Sequence, residues 1–81
     1  MVEVALWSGL RPLVDGRASV TVAGRTVGQI LDAIRRDYPA LAPTLDAGVS
    51  VVVDGRVIAS SLTEPVAEDS EVVLMMRLKG G

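Results

Sequence analysis

The chain ends Arg77-Leu78-Lys79-Gly80-Gly81, and these residues have the types and order that can be put to chemical use. An apolar run, Val72-Val73-Leu74-Met75-Met76, reads as a strand that stops just before them. A short basic step follows, then two glycines and the chain's own carboxylate. Glycine has no Cβ, so a Gly-Gly end is thin and reaches backbone angles closed to other residues. Such an end packs nothing. It can be threaded through a narrow opening that presents its carboxylate to another protein's chemistry. Glycine at about 7% of average usage puts such a pair at the end of roughly one chain in two hundred, so this reading needs support from the rest of the chain.

The residue types narrow the chemistry further. The 81 residues contain no cysteine and no histidine. A disulfide framework, a thiolate nucleophile, a Cys/His zinc site and an imidazole base are all excluded. Hydrophobic residues make up 49% of the chain, with one Trp, one Tyr and no Phe. That composition suits an aliphatic core and disfavours an aromatic platform for stacking bases. A net charge of −2 argues against nucleic acid and anionic membranes as partners. No apolar run approaches a membrane span and no signal peptide is visible, so the cytoplasm is the expected compartment. Glu64, Glu68, Asp69 and Glu71 lack the loop spacing of a calcium site and read as a solvated turn, so no metal is expected.

The elements that must position the terminus follow from periodicity. Val2-Glu3-Val4-Ala5-Leu6-Trp7 alternates with period two, as does Ser19-Val20-Thr21-Val22, and Asp15-Gly16 marks a turn between them. Thr26-Val27-Gly28-Gln29 fits a capping box. Val27, Ile30, Leu31, Ile34 and Tyr38 then recur at helical spacing, until Pro39 disfavours helical angles at Tyr38. Gly28 weakens the first turn by about 0.8–1 kcal/mol relative to Ala. Asp32 and Arg36 are spaced as an ion pair on the polar face. Leu41 to Leu45 is a connector with a turn of helix. Val49 to Val53 is β-branched and reads as a strand, Asp54-Gly55 as a hairpin turn, and Arg56-Val57-Ile58 as the returning strand. Residues 60–70 read as an exposed polar loop.

Hairpin, helix, hairpin and last strand make an α+β arrangement: a mixed sheet of four to five strands with one main helix on one face. Residues 1–81 are read as a single domain with 77–81 as a flexible tail. The first and last strands run side by side in the middle, with the short strands outside. On this alternation Ala5, Trp7, Val73 and Met75 point away from the helix. An apolar group on an open sheet face is the kind of patch that marks a partner site.

Four stretches together resemble the MoaD/ThiS family of sulfur carriers. They are Leu10-Arg11 with Leu13-Val14, Thr26 to Ile34 closed by Tyr38-Pro39, Val53-Asp54-Gly55, and Glu68 to Leu74 leading to Gly80-Gly81. The resemblance implies the ubiquitin-like β-grasp fold. It also implies a protein that is not itself an enzyme and binds no cofactor. Its Gly81 carboxylate would be adenylated with ATP by a ubiquitin-activating-like adenylyltransferase of the MoeB/ThiF type. A sulfur donor would then convert it to a thiocarboxylate, and an acceptor synthase subunit, MoaE-like or other, would receive the sulfur, with molybdopterin the first product to consider. In that scheme Arg77, Leu78, Lys79, Gly80 and Gly81 are the tail inserted into the partner. Ala5, Trp7, Val73 and Met75 are the docking surface.

Two other classes share these features. The segment Met75 to Lys79 is similar to ubiquitin's basic, leucine-containing tail, so a protein modifier joined through Gly81 to lysine amines is one alternative. A β-grasp interaction domain with an incidental ending is the other.

Overall fold

The computed structural model describes residues 1–58 and 62–76, with Met76 by its backbone alone. The stretches read as strands form β1 (Val2–Leu6), β2 (Ser19–Val22), β3 (Val49–Val53), β4 (Arg56–Ile58) and β5 (Val72–Met76). Their order across the sheet is β2-β1-β5-β3-β4. β1 and β5 pair in parallel at the centre, and every other pairing is antiparallel. The two outer strands are the shortest, with four and three residues, which leaves little free edge for another chain to pair with.

One face of this sheet carries Val2, Val4, Leu6, Val20, Val22, Val51, Val53, Val72 and Leu74, all buried. Helix α1 (Val27–Asp37) covers it, setting Val27, Ile30, Leu31 and Ile34 into the same cluster. Among the described residues no polar or charged side chain is buried. The centre is purely aliphatic, so it holds the fold without offering a reactive group.

The helix begins where the capping pattern predicts. Thr26 Oγ1 accepts the Gln29 N–H at 3.2 Å. The Gln29 side chain reaches back one residue further than a standard capping box, accepting the Arg25 N–H at 2.8 Å. The other free N–H groups of the first turn have partners the sequence did not reveal. Val27 N–H donates to the Glu64 carbonyl at 3.0 Å, and Gly28 N–H donates to the Leu62 carbonyl at 2.8 Å. Val66 N–H donates in turn to the Arg25 carbonyl, and Thr26 bridges to Pro65. Residues 60 and 61 of the loop expected before β5 lie outside the described residues; the rest of it, residues 62–70, is a clamp on the helix start, and Val66 within it is only 6% exposed.

One further expectation changes. Asp32 pairs with Arg35 at 3.0 Å rather than with Arg36. Arg35 is drawn there because its Nε also reaches Asp46, 3.1 Å away, while Arg36 lies against Asp37. The connector after Pro39 is a 3-10 turn, Pro39–Leu41, followed by a short helix α2 (Ala42–Ala47). Between β1 and β2 the chain makes a 3-10 segment, Ser8–Val14, which buries Leu10 and Val14.

Candidate functional site

β5 is the element that aims the terminus. It lies between β1 and β3, bonded on both sides, so its direction is fixed by two neighbours rather than one. Its register against β3 sets Met76 opposite Val49, the first residue of that strand. Its register against β1 sets Leu74 opposite Leu6. The chain therefore leaves the sheet at the rim formed by the Ser8–Val14 segment and the start of β3. Arg77, Leu78, Lys79, Gly80 and Gly81, the tail expected to enter a partner, lie outside the described residues.

At its other end β5 is anchored by the hairpin turn. Asp54 and Gly55 have φ of 50° and 81°, the left-handed pair of a type I′ turn. Asp54 N–H donates to the Glu71 carbonyl at 2.8 Å, and Glu71 N–H donates back to Asp54 Oδ1 at 2.9 Å. The turn thus fixes where β5 begins.

The sheet face away from α1 is where the expected docking residues fall. Ala5 and Val73 are register partners on the central strands, both half-buried. Met75 lies two residues further along and is 48% exposed. Trp7 follows the end of β1, and continuing the parallel register brings it beside Met75. Its side chain is half-buried, packed against the core, with the indole folded over Gly9.

The register also adds residues that alternation within single strands did not identify. Val73 pairs with Val52, and Val52 with Val57. Ala5, Val73, Val52 and Val57 thus form one row across four adjacent strands, and Val57 at its end is 65% exposed. Burial of such a row is non-directional and worth roughly 25 cal/mol per Å².

Among the described residues no three acidic side chains are grouped as metal ligands. Hollows of about 440 and 520 Å³ lie around Ala23, Gly24 and Arg25, at the opposite end of the sheet from the point where β5 exits. Among the described residues no helix is long and apolar enough to cross a membrane.

The sequence profile of the ThiS family matches residues 6–81, which takes in the helix, the strands from β2 to β5 and the Gly-Gly end. The chain belongs to the ThiS family. Its members are ubiquitin-like sulfur carriers, small carrier proteins rather than enzymes. Among curated protein sequences none matches the chain. Solved structures do. The Amycolatopsis orientalis BexX/CysO complex contains a chain superposing at TM-score 0.83 and 21% identity, over 100% of both chains. SAMP1 from Haloferax volcanii superposes at TM-score 0.72 and 30% identity, over 99% of this chain and 98% of that one. A chain of the complex of subunits 1 and 2 of the molybdopterin-converting factor from Helicobacter pylori superposes at TM-score 0.69 and 18% identity, over 99% and 97%. All share the β-grasp fold, a helix held against a mixed five-stranded sheet. The first and third of these ThiS-like folds were seen in complex with a second protein.

Proposed function

We propose that this chain carries sulfur on its own C-terminus. A carboxylate is a poor electrophile, because its charge is delocalised and it has no leaving group. A separate ATP-using enzyme of the ubiquitin-activating type supplies the missing activation. The Gly81 carboxylate oxygen attacks the α-phosphorus of ATP, the bond to pyrophosphate breaks, and an acyl-adenylate forms. A donor at the oxidation level of hydrosulfide then attacks the acyl carbon. The C–O bond to AMP breaks, and the terminus is left as a thiocarboxylate with a proton released.

The folded body contributes position alone. The residues after Arg77 span at most about 13–14 Å when extended. A docked sheet face therefore fixes how far into the enzyme the terminal carbon reaches, and small misplacements of a reacting carbon cost much rate. Ala5, Val73 and Met75 are the proposed contacts on that face, with Trp7 at its rim. The acceptor proposed first is a molybdopterin precursor, with this chain as the small subunit of a synthase and a MoaE-like protein as the larger one.

The observation that carries this reading is the family match running through Gly80 and Gly81 to the end of the chain. ATP–pyrophosphate exchange tests it. The full chain supports exchange with its activating enzyme, and the chain lacking Gly81 does not.

A second reading, a protein modifier joined to lysine amines, is favoured by the likeness to Haloferax volcanii SAMP1, a small archaeal modifier protein. Both readings use the same adenylate and differ in the nucleophile that displaces AMP. Isopeptide adducts in extracts of the native host support the modifier.

A further inference from the structure

The apolar row across the sheet has no sense of direction, yet a tail that must enter one opening needs a partner seated one way round. The neighbouring row supplies the asymmetry. Glu3 precedes Val4 on β1 and Glu71 precedes Val72 on β5, and Val4 pairs with Val72, so the two carboxylates lie side by side on the open face. Both are exposed. With Glu68 and Asp69 they line a shallow depression of about 350 Å³ that has Ala5 in its wall. The contacts that these carboxylates make in the structure are weak or neutral. Glu3 accepts from the Ser19 hydroxyl at 3.2 Å, and Glu68 lies 3.6 Å from the N-terminal amine. Along β5 this acidic row sits about 13 Å from Met75, four residues away. The sequence beyond Met76 is basic, at Arg77 and Lys79. One face thus carries negative charge at one end, apolar surface in the middle, and a basic tail leaving the other end.

We propose that the activating enzyme seated on this face presents lysine or arginine side chains opposite Glu3 and Glu71, and that this pairing sets the partner's orientation. The inference rests on the carrier reading above and adds the chemistry of the partner's surface. Apolar burial holds the two proteins together, while complementary charge rejects the reversed arrangement and speeds encounter. A lysine or arginine suits the depression because its aliphatic stem lies along Ala5 while its head meets the carboxylates. A bound metal ion suits it less, since the acidic groups do not converge as ligands would.

Calorimetric titration of the full chain into its cognate activating enzyme, without ATP, tests this. Glu3→Lys and Glu71→Lys are each expected to raise Kd at least about tenfold at low salt, and the gap narrows as salt screens exposed charge. Asp37→Lys makes the same change in net charge on the helix side and leaves Kd near wild type. Glu3→Gln and Glu71→Gln give a smaller rise in the same direction, and they serve as the readout if a lysine variant fails to fold. A Kd that ignores all four variants overturns the inference, as does an equal loss with Asp37→Lys, an absence of binding, or a face occupied by a second copy of this chain in sedimentation. Charge-sensitive binding without pyrophosphate exchange overturns the carrier reading and leaves this one standing. Normal exchange with charge-insensitive binding does the reverse.

Discussion

The Leu62 carbonyl oxygen accepts the Gly28 N–H at 2.8 Å and also lies 3.0 Å from where a Cβ on Gly28 would stand. The same close approach that satisfies the helix start leaves less than ordinary van der Waals room for a side chain there. The atom in the way is backbone, tied to the residue that would carry the new methyl group, so retreating by a few tenths of an ångström stretches the bond it accepts. Gly28→Ala should therefore destabilise the fold by on the order of 1 kcal/mol, even though alanine is the better helix former. Chemical denaturation checks this. A stabilised variant would mean that the segment at Leu62 yields freely.

Gly9 and Trp7 form a second such contact. A Cβ on Gly9 would meet the indole Nε1 at 2.7 Å, but here the obstacle is a side chain that can swing away. Gly9→Ala should displace the indole into water with a stability loss under about 1 kcal/mol. Because Trp7 is the only tryptophan, its fluorescence reports the change directly, as a red shift. An unchanged spectrum would place the indole elsewhere.

Val57 separates docking from folding. It ends the apolar row on an edge strand and is largely exposed. Val57→Ser should change stability by no more than about 0.5 kcal/mol. It should weaken binding of the activating enzyme measurably, since the enzyme then covers a polar group. Equal affinity for the two chains would confine the docking surface to the central strands.

Lys79 is the sole lysine in the chain. Lys79→Arg keeps the charge and removes the only side-chain amine that a second activated copy could attack. Adenylation should continue at a similar KM in exchange assays. Any conjugates of the chain with itself that run through a side chain should vanish from intact-mass spectra. Their persistence would point to the N-terminal amine.

Much of this architecture is legible in local pattern. Alternation gave β1 and β2, β-branched and apolar runs gave β3 and β5, Thr26 and Pro39 marked the ends of α1, and Asp54-Gly55, which announced β4, adopts the left-handed pair its residue types invite. What local pattern missed lies in contacts between distant segments. Gly28 reads along the chain as a flaw in a helix, and only the approach of Leu62 explains it. Arg35 takes Asp32 because Asp46 is also within reach, a fact of folding rather than spacing. Val66 sits in a polar stretch and is buried because its backbone binds Arg25. The candidate face divides in the same way. Ala5, Val73 and Met75 follow from alternation, whereas Val52 and Val57 need the register of β3 against β5 and β4, which single-strand patterning does not encode.

The intact mass of the protein isolated from its native host tests the central claim most directly. A fraction of molecules should be heavier by the replacement of one oxygen with sulfur, with the change confined to the fragment ending at Gly81 and lost on incubation with an acceptor synthase. Protein recovered wholly as the free carboxylate, from cells in which its activating enzyme is expressed and sulfur is supplied, would contradict it.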